Sequence, residues 1–258
     1  IDRAYPDYDF PSEKNVENAN KKFMDEYHKF VKYQKTQGME MEKFDVGALN
    51  QIKMLYNPKK YRKNFEIRNL AGNGQVWTGK GTAAEKQYSG DPTLFDENVN
   101  SCAIRITYGN FRYFNGGDLS GGNWPIYKSN ERDMETPTAK VCGKVDVMKA
   151  NHHGYYDTCN GFFMNTLSPD VVIVDARSDN HPVPSTMARM TDPLVWTEQG
   201  EFYITVDQAR NKLGEELWSH FKPWGHIVVR VYEGGEKYQV FVLDADSLDY
   251  PIVYKSDL

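Results

Sequence analysis

Val145-Asp146-Val147-Met148-Lys149-Ala150-Asn151-His152-His153-Gly154 is the stretch on which the architecture turns. Its first half has the length and β-branched content of a short buried strand, and it stops at amide and imidazole side chains followed by glycine. The same arrangement recurs on either side. Upstream, residues 102–108 and 111–114 flank Gly109-Asn110, a pair suited to a tight hairpin turn, and the hairpin runs into Gly116-Gly117-Asp118. Downstream, residues 171–175 read as another strand, followed by Asn180-His181-Pro182. Three polar clusters therefore follow three predicted strands.

Helices are expected at 161–167, 184–190 and 207–219, and the chain closes with a second hairpin, 227–232 and 238–243, around Glu233-Gly234-Gly235-Glu236. Strands and helices alternating in this way predict a layered α/β arrangement. Nearer the start, Val16, Ala19, Phe23, Tyr27, Phe30 and Val31 recur at helical spacing, with Ser12 as the expected N-cap and Gly38 after the last turn. A second helix is expected over 46–56. Residues 1–64 thus read as an extended loop plus a helical insertion, and 65–258 as the body of the domain.

The composition bounds the function. A chain of 258 residues with 40% hydrophobic content can bury a core, which excludes a disordered chain. No apolar run reaches the ~18 to 20 residues that span a bilayer. The net charge of −5 argues against a surface that attracts nucleic acid as a whole. The compact basic stretch is Lys53, Lys59, Lys60, Arg62 and Lys63, interleaved with Tyr56 and Tyr61; a solvated loop flank is the simpler reading of it. Cys102, Cys142 and Cys159 are odd in number and widely spaced, which fits buried thiols better than a disulfide scaffold or a Cys-x-x-Cys metal knuckle. One disulfide with a free thiol stays open.

Side chains at the ends of neighbouring strands meet at one edge of a sheet, so Asp118, His152, His153 and His181 are expected to share a cleft. Their oxygen and nitrogen donors suit zinc, manganese or iron; calcium would call for more carboxylates. Each cluster alone has a plainer reading. Gly-Gly-Asp is common in ordinary turns, an adjacent histidine pair is often structural, and His181 before proline can simply end a loop. His28, His220 and His226 are read as structural.

In order, Asn100-Ser101-Cys102-Ala103-Ile104-Arg105-Ile106, Tyr108-Gly109, Phe114-Asn115-Gly116-Gly117-Asp118-Leu119, the stretch from Val145 to Gly154, Leu167-Ser168-Pro169-Asp170-Val171-Val172-Ile173 and Asn180-His181-Pro182 form a wider pattern. It resembles the metallo-β-lactamase superfamily, in particular the branch that includes the hydrolase domain of bacterial DNA-uptake channel proteins. The likeness is good over roughly 98–190. It implies an α+β fold, a four-layer αββα sandwich with a metal centre along one edge of the sheets. Asp118 matches the Gly-Asp ligand, commonly a bridge between two metals. His152 and His153 match a His-His-Gly element that supplies at least one ligand, with His152 slightly favoured. His181, with Asn180 and Asn151 beside the two motifs, matches positions for a ligand or a substrate contact.

The sequence also departs from that pattern. The His-x-His-x-Asp-His element that precedes Gly-Asp in the family has no counterpart here, where His28 is the one earlier histidine. Ile1-Asp2-Arg3-Ala4-Tyr5-Pro6 resembles the segment that follows the element in relatives, which predicts that it lies upstream and that 65–258 is the C-terminal part of the domain. Two metals need about five protein ligands, and this chain offers at most four, so it is expected to be inactive by itself.

The resemblance implies a hydrolase of the complete protein holding two zinc ions, in which a metal-activated water attacks a small-molecule ester or a phosphodiester, the latter slightly favoured. It keeps nucleic acid among the expected partners against the evidence of charge, and it implies an exported, periplasmic or extracellular bacterial protein. The alternative is a non-catalytic binding or accessory module with an incomplete metal centre. Gly-x-Ser-x-Gly and phosphate-loop elements are absent from the sequence.

Overall fold

Side chains of consecutive strand residues point to opposite faces, and the β-rich part of this chain uses both faces. In the computed structural model, which describes residues 1, 18–87, 97–122 and 132–257, eight strands form one sheet. They are β1 (Phe65–Gly72), β2 (Gln75–Trp77), β3 (Ala84–Lys86), β4 (Ala103–Tyr108), β5 (Phe111–Asn115), β6 (Val147–Lys149), β7 (Val171–Val174) and β8 (Glu201–Ile204). The spatial order is β3-β2-β1-β4-β5-β6-β7-β8. Pairing is antiparallel from β3 to β5 and parallel from β5 to β8.

The parallel half needs crossovers, and helices supply them. α3 (Glu135–Cys142) joins β5 to β6, α4 (Gly161–Leu167) joins β6 to β7, and α5 (Pro184–Thr191) joins β7 to β8. α6 (Arg210–Trp218), broken at Gly214 (φ 74°), packs beside α5. One sheet face lies under these helices, and Phe114, Met148, Val172, Val174, Phe202 and Ile204 belong to that core. The other face presents Phe111, Val147, Val171 and Tyr203. It packs against a second sheet of β9 (His226–Val231), β10 (Tyr238–Leu243) and β11 (Ile252–Lys255), through Val240 and Val242. Helices, an eight-stranded sheet and a three-stranded sheet make the α+β sandwich that the resemblance implies. A parallel strand covered on both faces reads as a continuous apolar run, which is why Val171-Val172-Ile173-Val174 shows no alternation.

Both expected hairpins form, as do all three expected crossover and C-terminal helices. A helix Asn18–Thr36 (α1) precedes Gly38, whose φ of 92° ends it in the left-handed region. Ser12 and the loop over 2–11 lie outside the described residues. The helix expected over 46–56 does not form. Gly47 and Asn50 take positive φ, and the segment pairs with β1 instead: Gly47 N–H donates to Asn69 O, Asn69 N–H to Ala48 O and Asn50 N–H to Ile67 O. Its apolar spacing is helical, but an unpaired strand edge offers hydrogen bonds that an isolated short helix cannot match. The next helix, Pro58–Tyr61 (α2), is a single turn that begins beyond this segment. Cys102, Cys142 and Cys159 are all free thiols.

Candidate functional site

β5, β6 and β7 are parallel neighbours, so their C-terminal ends lie side by side and the loops that leave them share one edge. After β5, Asn115 Oδ1 accepts from Gly117 N–H at 2.9 Å, turning the chain at Gly116-Gly117 and presenting Asp118. After β6, His152 and His153 occupy a tight turn with φ of 44° and 54°. Two consecutive non-glycine residues in the left-handed region cost on the order of 1–3 kcal/mol each, and the surroundings must hold them there. Gly117 O does part of this. It accepts from His152 N–H at 3.1 Å and from Lys149 Nζ at 2.9 Å, tying the Asp118 loop to the histidine loop.

His153 is held from one side. Its Nδ1 lies 2.9 Å from Asp175 Oδ1, and its Nε2 then faces Asp118 Oδ1 at 3.5 Å. The Asp175 hydrogen bond holds the His153 imidazole above its ordinary pKa. Asp175 is in turn held below the usual carboxylate range by His153 and Lys149, against the burial that opposes it. Lys149, with only 10% of its side chain exposed, puts Nζ 3.4 Å from Asp175 and 4.0 Å from Asp118. An ammonium thus stands between the two carboxylates.

His152 faces elsewhere. Its Nδ1 lies 3.4 Å from Asp157 Oδ1 and 3.3 Å from Asn98 Nδ2, and its ring packs 4.9 Å from that of Tyr155. His181 closes the group, with ring centroids 5.6 Å from His152 and 5.4 Å from His153. Burial, then the neighbouring imidazoles His153 and His152, push its pKa down. A cleft of about 740 Å³ opens here, lined by His152, Tyr155, Tyr156, Asn180, His181 and Lys212. Asn180 accepts from Lys212 Nζ at 2.9 Å on its rim.

Asp118 and His153 stand beside the cleft, and Asn151 points away from it. It is fully buried and donates to Glu135 Oε1 at 2.8 Å. Glu135, also fully buried, accepts Cys159 N–H and Asn160 N–H at 2.7 and 2.8 Å, so one carboxylate clamps both ends of the loop that carries the histidines. Burial raises its pKa to about 8.

The sequence reading passed over Lys149, Asp175 and Glu135. Lys149 carried a usable signal, because a charged residue inside an apolar strand must find partners. Asp175, directly after four apolar strand residues, sits at a strand end like the histidines. Glu135 had no local signal.

The donor chemistry fits part of a metal site. A ligating histidine typically gives its second ring nitrogen to a carboxylate, as His153 does to Asp175, leaving Nε2 and the Asp118 carboxylate as adjacent donors. Among the described residues, no three His, Cys, Asp or Glu side chains stand close enough to hold an ion together.

Known proteins add one likeness. The chain is similar to Recombination protein 2 of Haemophilus influenzae. Identity is 23% over 173 residues, which is 64% of this chain and 20% of that protein. The chain therefore matches about a fifth of that relative's length. No protein-family model matches the chain.

Proposed function

We propose that this chain is part of a metal-dependent hydrolase of the metallo-β-lactamase superfamily that cleaves an ester-type bond, a phosphodiester before others. The observation that carries the reading is His153, oriented by Asp175 so that Nε2 faces Asp118, with its ring against that of His181, which lines the cleft. The ordered motifs support it, and the likeness to a protein called Recombination protein 2 bears only on the choice of a phosphodiester as substrate. Asp118 and His153 would hold the ion, zinc first and manganese or iron next, with His181 or His152 as further donors after rotation of a side chain. A bound divalent ion supplies Lewis acidity and an acidified water. The chain's own residues do the rest. Asp175 fixes the His153 tautomer, Lys149 offsets one of the two carboxylate charges, and Tyr155, Tyr156 and Lys212 wall the cleft where a substrate anion would lie.

A second reading, a binding or accessory module without catalysis, is favoured by the same ammonium. With Lys149 between Asp118 and Asp175 one of the two negative charges is already offset without an ion.

Zinc and manganese titration by calorimetry, with metal content by plasma mass spectrometry, separates the two. The hydrolase reading expects saturable binding that Asp118→Asn and His153→Ala each weaken at least about tenfold, with bis(p-nitrophenyl) phosphate cleaved faster than p-nitrophenyl acetate when a His-x-His-x-Asp-His segment is joined ahead of residue 1. A folded protein that binds neither ion in either form overturns it and leaves the binding module.

A further inference from the structure

At the far end of the strands from the cleft lies a surface of different character. Phe65 pairs with Tyr108 at the β4–β5 turn, whereas Asn115, which leads to Asp118, pairs with Ile104. The two regions are therefore separated by the length of β5, about 13 Å at ~3.3 Å per residue.

Residues 46–65 contain no Asp or Glu, and five of them are Lys or Arg, in a chain whose net charge is −5. Lys60 is paired with Glu233 at 3.2 Å. Lys53, Lys59, Arg62 and Lys63 are exposed and have no ion-pair partner among the described residues. Between them Leu55 is 93% and Tyr56 78% exposed, on the loop that leads into α2. Met54, Leu55, Tyr61 and Phe65 line an adjoining cleft of about 510 Å³, and Lys53, Lys59 and Arg62 edge it.

A single exposed leucine is ordinary, but Leu55 and Tyr56 continue the apolar lining of Met54, Tyr61 and Phe65 into one contiguous patch, which marks an interaction surface. A basic rim around an aliphatic and a tyrosine tip is the chemistry of a bilayer interface: apolar groups enter among the acyl chains, the tyrosine ring lies at headgroup depth, and the cations face lipid phosphates. We propose that this surface docks the protein peripherally on an anionic membrane, with Leu55 and Tyr56 inserted and Lys53, Lys59, Arg62 and Lys63 against the phosphates. Leu55 decides between this partner and a nucleic acid, which would use the cations and the tyrosine rings but has no place for an aliphatic tip. Docked this way, the protein turns its strand-end cleft from the bilayer towards solvent.

The test is co-sedimentation of the full chain with vesicles of phosphatidylcholine alone and with 30% phosphatidylglycerol, over a series of salt concentrations, beside a fluorescent single-stranded oligonucleotide as competitor. Folding of each variant is checked by circular dichroism. Binding to the anionic vesicles alone is expected, falling with salt. Leu55→Glu should weaken it about tenfold, and Lys59→Glu with Lys63→Glu by more than that, with the metal affinity of the Asp118 site unchanged. Equal binding to neutral vesicles, no binding, or binding indifferent to Leu55→Glu overturns the proposal. Oligonucleotide binding that the lysine changes abolish and Leu55→Glu leaves intact assigns the surface to nucleic acid instead.

Discussion

Glu135 accepts three N–H groups while shut away from water, and its two roles pull in opposite directions. The donors favour the carboxylate, burial disfavours it more, and the net effect raises the pKa from an ordinary 4.5 to about 8. Between those two values the unfolded chain has released this proton and the folded chain keeps it, so this group lowers folding stability as pH rises through that window. Glu135→Gln, which cannot titrate, should remove the slope: the wild-type melting temperature falls relative to the variant's from pH 5 to pH 8. A difference that stays flat with pH would refute the assignment. Lys149 gives a second test at this scale. Lys149→Met leaves Asp118 and Asp175 facing each other without a cation, and about 1–3 kcal/mol should be lost, both carboxylates being partly solvated. If they accept a metal, added zinc should raise the melting temperature of this variant more than that of the wild type.

Gly109 shows how one element depends on another. It turns β4 into β5 with φ of 58°, and a Cβ there would sit 1.8 Å from Gly234 O in the β9–β10 turn; at Gly235 a Cβ would meet Tyr108 O at 1.7 Å. Two hairpin turns, one from each sheet, are thus pressed backbone to backbone, with Asn110 donating to both Glu236 carboxylate oxygens alongside. Gly109→Ala combines left-handed strain with a clash against backbone, and a loss of about 2–4 kcal/mol in urea unfolding is expected. Gly143, at φ 70° and ψ −169° in a region that glycine alone adopts freely, has nothing within 4 Å of the added Cβ, so Gly143→Ala should cost the backbone strain without the clash, about 1–3 kcal/mol.

On the scale of the whole molecule, the eight-stranded sheet is sealed by helices on one face and by the three-stranded sheet on the other. Removing residues 225–257 would uncover Phe111, Val147, Val171 and Tyr203 together. Such a truncation should lose cooperative unfolding and bind a hydrophobic dye, as a sheet with one bare apolar face does. Retention of a sharp transition without dye binding would mean that the helical layer suffices.

Local spacing, turn residues and short apolar runs are properties of neighbours along the chain, so the strands that end in Asp118, His152-His153 and Asn180-His181, both hairpins and the alternation of strands and helices are legible in the sequence, whereas the sandwich followed from the resemblance of the ordered motifs. That 47–50 pairs with β1 instead of coiling depends on the fold, since the competing hydrogen bonds come from residues about twenty positions away. Only the tertiary structure decided which histidine meets Asp118. His152 and His153 are equivalent in sequence, but successive residues in a left-handed turn point differently, and Asp175 and Asp157 wait on different sides. Lys149 and Glu135 became part of the site in the same way, by burial beside partners that lie far off in the chain and close only in the fold.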